Sequence, residues 1–198
     1  MKKRIPTIVT ERLILRPWRI DDASDLYEYA RDPEVGRNAG WKPHESLEES
    51  INVTDSFIHG EDIIFALALP SENGKVIGSI GLHTDDSRNL KSSRSLMLGY
   101  VLSRKYWGHG YMTEGARAVL KYAFTLPGVS MVTVRHYPHN IRSRRVIEKL
   151  GFTYEGTMRH ASELYDGTVY DTCVYSILKT EFRQSDSSAI YCDFPVGN

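Results

Sequence analysis

Near the middle of the chain a strand pattern, a loop with two glycines and a helix pattern run on without a break, and few folds accommodate that order. Residues 95–102 alternate: Leu96, Leu98, Tyr100 and Leu102 share one face, and Met97, Gly99 and Val101 share the other. The loop Tyr106-Trp107-Gly108-His109-Gly110 follows. Beyond it Met112, Ala116, Val119, Leu120 and Ala123 recur at helical spacing. The first N–H groups of a helix have no internal partner, and its dipole places partial positive charge there. Two glycines a residue apart let the backbone approach phosphate oxygens closely. A plain strand-to-helix turn often carries one glycine, so two favour an anion site. A dinucleotide fingerprint would need glycine at Thr113, and a P-loop would need Gly-Lys-Ser/Thr. Both are missing, which leaves coenzyme A as the third phosphate-bearing ligand to weigh.

The rest of the chain surrounds this unit with strands and helices. Residues 11–18 read as a strand, and Asp21 or Asp22 can cap a helix carrying Leu26, Tyr27 and Ala30, which Asp32-Pro33 stops. Residues 37–44 read as a loop. Ser46 with Glu49 forms a capping box, so a second helix is expected over residues 47–58. Strands follow at 63–69 and 76–82, joined through Asn73-Gly74, a pair that tolerates positive φ. After the central loop and helix come a strand at 131–136, a helix at 143–150 closed by Gly151, a strand beginning at 152–156, and a last strand at 169–178. This order predicts an α+β fold: a mixed, mainly antiparallel sheet with helices on both faces. Residues 1–182 are expected to form a single domain, and the polar, patternless residues 183–198 a flexible C-terminal tail.

Composition narrows the class of function. In 198 residues the 25 basic side chains match the 25 acidic ones, so no global field points to nucleic acid or an anionic membrane. No apolar run reaches spanning length, and the basic start lacks a signal-peptide core, so a cytoplasmic protein is expected. Cys173 and Cys192 do not suggest a disulfide framework. His136 and His139 would point apart on a strand, and no metal is expected.

The two blocks Leu98-Gly99-Tyr100-Val101-Leu102 and Tyr106-Trp107-Gly108-His109-Gly110-Tyr111-Met112-Thr113-Glu114 resemble the acetyl-CoA-binding motif of the GNAT (Gcn5-related N-acetyltransferase) superfamily. Residues 140–152, from Asn140 through Ser143, Arg144 and Arg145 to Gly151-Phe152, are similar to that family's next motif. The opening Thr10-Glu11-Arg12-Leu13-Ile14-Leu15-Arg16-Pro17 resembles the Rim-type branch, related to the ribosomal-protein N-terminal acetyltransferases. Glu155-Gly156 and Asp166-Gly167 followed by Asp171 match that branch as well. Lys105 stands where the pattern often has Gln or Arg.

The resemblance implies the GNAT fold, with strands splayed at the acetyl-CoA site, and transfer of acetyl from acetyl-CoA to a primary amine, a protein N-terminus or a small amine, by direct attack on the thioester. Within it, backbone groups of Tyr100, Val101 and Leu102 bind pantetheine, and Trp107, Gly108, His109, Gly110, Tyr111, Met112 and Thr113 bind pyrophosphate. The Asn140 amide reaches pantetheine, and Ser143 lies near the thioester sulfur as a proton donor. Asn140 also reads as turn chemistry and Ser143 as a helix cap. Many relatives carry a tyrosine acid where this chain has Ile147. The amine must be neutral to attack, so a base is expected. By resemblance it is Glu163, with Asp171 and Glu34 as weaker choices. A backbone N–H near Val101 is placed to meet the oxyanion. Arg142, Arg144 and Arg145 read as a solvated helix start or as phosphate ligands, with weight on Arg144 and Arg145. Trp41 is a core plug or a wall of the acceptor pocket. The competing reading is a CoA-binding regulatory module without turnover. Exposed strand edges make a homodimer an open option.

Overall fold

A computed structural model of the chain describes residues 5–85, 87–182 and 190–192. Among the described residues nine strands form one sheet: β1 (Thr7–Val9), β2 (Ile14–Pro17), β3 (Ile63–Leu69), β4 (Lys75–Thr84), β5 (Arg94–Leu102), β6 (Val129–His136), β7 (Thr153–Glu163), β8 (Val169–Leu178) and β9 (Ile190–Cys192). Their order across the sheet is β7-β8-β6-β5-β4-β3-β2-β1-β9. Among the described residues every neighbouring pair is antiparallel except β5 with β6.

Five α-helices accompany the sheet among the described residues: α1 (Ala23–Ala30), α2 (Pro33–Ala39), α3 (Leu47–His59), α4 (Tyr111–Ala123) and α5 (Ile141–Leu150). They cover both faces, as the alternation within the central strands requires. Ile63, Phe65 and Leu67 of β3 pack with Ala116, Val119 and Leu120 of α4 and Ile147 of α5. Ile64 and Ala66 turn the other way, onto Leu26 and Tyr29 of α1, Val35 of α2 and Phe57 of α3.

Several expected elements differ in extent. The strand expected over residues 11–18 is shortened to β2, and β1 precedes it, because Thr10 folds the chain back: its N–H donates to the Leu13 carbonyl at 2.9 Å and its Oγ1 accepts from the Leu13 N–H at 3.1 Å. The stretch expected as a loop from residue 37 begins inside α2. Asp32-Pro33 ends one helix and starts the next, since the Asp32 carboxylate accepts from the Glu34 N–H at 2.9 Å and proline suits the first helical position. The last hairpin is longer than its sequence suggests, with β7 reaching Glu163 through two register shifts. Within the segment expected as a tail, β9 pairs with β1; the remainder of that segment and the side chain of Cys192 lie outside the described residues. No described helix is long and apolar enough to cross a membrane.

Candidate active site

Strand β5 pairs with β4 along most of its length, from Thr84 opposite Leu96 to Gly78 opposite Leu102. With β6 it pairs only from Arg94 to Leu98, where Leu98 meets Val134. Past that point β6 continues beside β8 to His136, and, among the described residues, positions 99–102 of β5 have no strand on that side. Backbone N–H and C=O groups on such an edge need partners, so the split is a built-in place for an extended polar ligand. Its closed end is pinned by the buried Asp85 carboxylate, which accepts from Ser95 of β5 at 3.2 Å and Thr133 of β6 at 2.8 Å.

A cavity of about 320 Å³ opens on the split. Strand β5 contributes Tyr100, Val101 and Leu102, and the loop before α4 contributes Trp107, Gly108 and Gly110, with Met112 and Thr113 from the helix start. Gly110 precedes α4 with φ 83°, a left-handed conformation that disfavours β-branched residues, and no side chain caps the helix there. The first α4 amides are therefore left for a ligand. His109 and Tyr111 do not line the cavity; their rings stack at 6.1 Å, and the Arg12 guanidinium lies 4.6 Å from the Tyr111 ring.

Arg12 also braces this loop from the far end of the sequence. Its Nη1 donates to the His109 carbonyl at 2.9 Å and its Nε to Glu114 in the first turn of α4 at 2.7 Å. Thr10 Oγ1 donates to the same carboxylate at 2.6 Å.

Helix α5 supplies the opposite wall. Arg142, Arg145 and Lys149 line the cavity on one helical face, and Arg142 lies 4.6 Å from the Trp107 ring. Arg144 points elsewhere, with Nε 2.8 Å from the Glu148 carboxylate. Of the two arginines weighted in the sequence, Arg145 joins the wall and Arg144 does not. Arg142 and Lys149 take the remaining places, which the spacing from Arg142 to Arg145 to Lys149 could have signalled. Three cations and no lining carboxylate, beside an uncapped helix start, fit a polyphosphate ligand such as the pyrophosphate of coenzyme A.

At the bottom of the split the helix cap is Asn140, not Ser143: its Oδ1 accepts from the Ser143 N–H at 3.0 Å. The Ser143 hydroxyl is released from capping and lies 2.8 Å from the Tyr100 hydroxyl. Burial pushes the Tyr100 pKa up, against the Ser143 hydrogen bond, so the phenol stays protonated. Ile147 is fully buried in the core.

A second cavity of about 320 Å³ shares Asn38, Ala39, Tyr100, Asn140 and Ser143 with the first. Met97, Leu98 and Gly99 line it from β5, and Ser162 and Thr172 from the last hairpin. Glu163 is exposed and is not brought to either cavity; its neighbour Ser162 is. Asp171 accepts from the His160 N–H at 2.9 Å, and neither it nor Glu34 lines a cavity. Trp41 is half-buried against the cluster that holds Trp18 and Tyr29 and also stays outside both. His136 does line the second cavity, but its Nδ1 donates to the Tyr137 carbonyl at 2.7 Å and its Nε2 faces the Tyr175 hydroxyl at 3.5 Å.

A mixed sheet split between parallel neighbours, with an uncapped helix start above the split and a cationic wall beside it, is the framework of a coenzyme A-dependent acyltransferase. The family comparison agrees: residues 12–153 match the acetyltransferase (GNAT) domain model, and the chain belongs to that family, whose members use acetyl-CoA. The chain is 30% identical to the uncharacterized N-acetyltransferase YoaA of Bacillus subtilis, over 88% of this chain and 97% of that protein. It is 26% identical to the ribosomal protein uS5-alanine N-acetyltransferase of Escherichia coli, over 75% and 79% of the two chains. A crystal structure of a GNAT-family acetyltransferase from Bacillus anthracis superposes with a TM-score of 0.76 at 26% identity, covering 88% of this chain and 99% of that one.

Proposed function

We propose that this enzyme transfers acetyl from acetyl-CoA to a primary amine, a protein N-terminus or a small amine, by direct attack of the nitrogen on the thioester. The observation that carries this reading is the split after Leu98, because it opens one cavity toward the cationic wall and a second toward Ser162 and Thr172, with Tyr100 and Ser143 shared. The first cavity takes the cofactor: α4 amides and Arg142, Arg145 and Lys149 hold its phosphates, and the free edge at residues 99–102 holds the pantetheine arm. The second takes the amine.

As the C–S bond breaks, the sulfur needs a hydrogen-bond donor. Ser143 supplies it, and the Tyr100 phenol, which donates to the Ser143 carbonyl at 3.2 Å and lies 2.8 Å from its Oγ, positions Ser143. A transition-state contact of this kind lowers the barrier to thiolate departure without adding to ground-state affinity. The relative that acetylates a ribosomal protein supports a protein N-terminus as acceptor. The cytoplasm, which supplies acetyl-CoA, is the compartment this reading fits.

The test is release of free thiol from acetyl-CoA in the presence of a panel of peptide N-termini, polyamines and amino sugars. At least one acceptor should give continuous turnover and an acetylated product by mass spectrometry. A protein that binds acetyl-CoA and turns over none of them would refute the reading.

A further inference from the structure

Neither cavity is lined by an aspartate or glutamate among the described residues, yet the attacking nitrogen must lose a proton. A different group lies beside the split: His83 lines neither cavity itself, but its ring packs against Gly99, which lines the second. Strands β4 and β5 place Gly81 directly opposite Gly99 and His83 opposite Met97. The His83 ring lies over this glycine pair: a Cβ added at Gly81 would fall 2.6 Å from His83 Nε2, and one added at Gly99 would fall 3.0 Å from it. The two glycines are what allow an imidazole to lie on the sheet there. His83 Nδ1 is 2.7 Å from Asp62 Oδ2, in the turn before β3. A carboxylate only accepts, so in the neutral ring Nδ1 carries the proton and Nε2 carries the lone pair. Asp62 is hydrogen-bonded to the ring at Nδ1, and Gly81 and Gly99 lie beside Nε2. Gly99 is the first residue past the last β5–β6 pair and lines the second cavity. Its face of β5 is that of Val101, turned toward α1–α3 and away from the α4 and α5 side.

We propose that His83 is the general base for the acceptor amine and that Asp62 is its positioning residue. The assignment rests on the acetyltransferase reading above. As the N–C bond forms, Nε2 takes a proton from the nitrogen, directly or through one water, and the resulting imidazolium is held by Asp62. The C–S bond breaks with its electron pair on sulfur, which takes up one proton, and His83 returns its own to solvent. One proton has moved from nitrogen to sulfur and nothing else is consumed. His136, the imidazole that does line the second cavity, has both ring nitrogens facing protein groups.

The experiment follows steady-state acetylation against pH, with the best amine of the panel, for wild type, His83→Gln, Asp62→Asn and His83→Gly. The wild-type kcat/KM should fall toward acid pH, where the base that accepts the amine proton is already protonated. His83→Gln should lower kcat/KM about a hundredfold or more and lose that acid limb, with acetyl-CoA affinity within about twofold of wild type. Asp62→Asn, on an exposed turn, should keep the fold, lose about tenfold and displace the limb. Added imidazole should restore part of the His83→Gly rate, an outcome that a purely structural histidine would not give. If His83→Gln and Asp62→Asn both keep the wild-type rate and pH profile while wild type turns over, the base assignment is wrong and the acetyltransferase reading stands. If wild type itself binds acetyl-CoA and turns over no amine, both fall together.

Discussion

The Tyr100 hydroxyl sits 2.8 Å from the Ser143 hydroxyl, joining the strand that loses its neighbour to the helix that faces the gap. The contact separates two roles that the sequence left open for Ser143. Because Asn140 is the cap, Ser143→Ala should leave the melting temperature nearly unchanged and lower kcat and kcat/KM together by about tenfold or more. Tyr100→Phe should act on the same step. The double variant should then lose less than the product of the two single losses, since they interrupt one hydrogen-bonded unit.

Asn140→Ala gives the complementary pattern. The first turn of α5 loses its side-chain acceptor, at a cost of about 1 kcal/mol of stability measurable by denaturant unfolding. Its effect on acetyl-CoA affinity reports whether the amide also touches the cofactor.

Gly110→Val places a β-branched residue at φ 83° where the backbone faces the cavity, and its Cβ would lie 3.4 Å from the Arg12 guanidinium. Acetyl-CoA affinity, read by calorimetry, should fall by about tenfold or more. A folded variant with wild-type affinity would place the phosphates elsewhere.

The arginines of α5 should divide by direction. Arg145→Ala and Arg142→Ala should weaken acetyl-CoA binding and flatten its dependence on salt, because each removes a cation from the cavity wall. Arg144→Ala removes an exposed pair with Glu148 and should leave affinity unchanged within about twofold.

Acid stability has a separate source. Hydrogen bonds from Lys105 and then Lys75 lower the Glu28 pKa from 4.5 to about 2. The folded value lies below the unfolded one, so this stabilisation is present above about 4.5 and is lost as pH falls toward 2. Glu28→Gln should therefore destabilise the protein near neutrality, by about 1 kcal/mol once solvent screening of a half-exposed pair is allowed for. The difference from wild type should vanish near pH 2 in an acid titration of unfolding.

The fold was largely legible because strand alternation and helical spacing are local: β3, β4, β5 and α4 follow from residues within one element. So was the loop at Gly108 and Gly110, where backbone chemistry is written as residue type. What failed to show depended on contacts across the chain. Thr10 turns the chain between β1 and β2, and its partners are Leu13 and Glu114, the latter 104 residues away. Asp32-Pro33 carries a stop and a start in the same two residues, and the start depends on the Asp32 carboxylate reaching the Glu34 N–H. Glu163 came from the likeness to other chains, and an eleven-residue edge strand with two register shifts places its neighbour at the cavity instead. His83 left no sequence signal by itself. Its setting consists of two glycines on paired strands and an aspartate 21 residues earlier, which become a group only once β3, β4 and β5 are aligned.

The Arg12 brace determines how short the enzyme can be made. Residues 10–12 hold the Glu114 carboxylate and the His109 carbonyl, so the loop before α4 is fastened by the first hairpin of the chain. The family match begins at residue 12, two positions too late to include Thr10. A chain trimmed to that boundary would retain every residue that lines the two cavities and lose the hairpin that keeps Arg12 on station, leaving a complete set of ligand contacts on an unmoored loop.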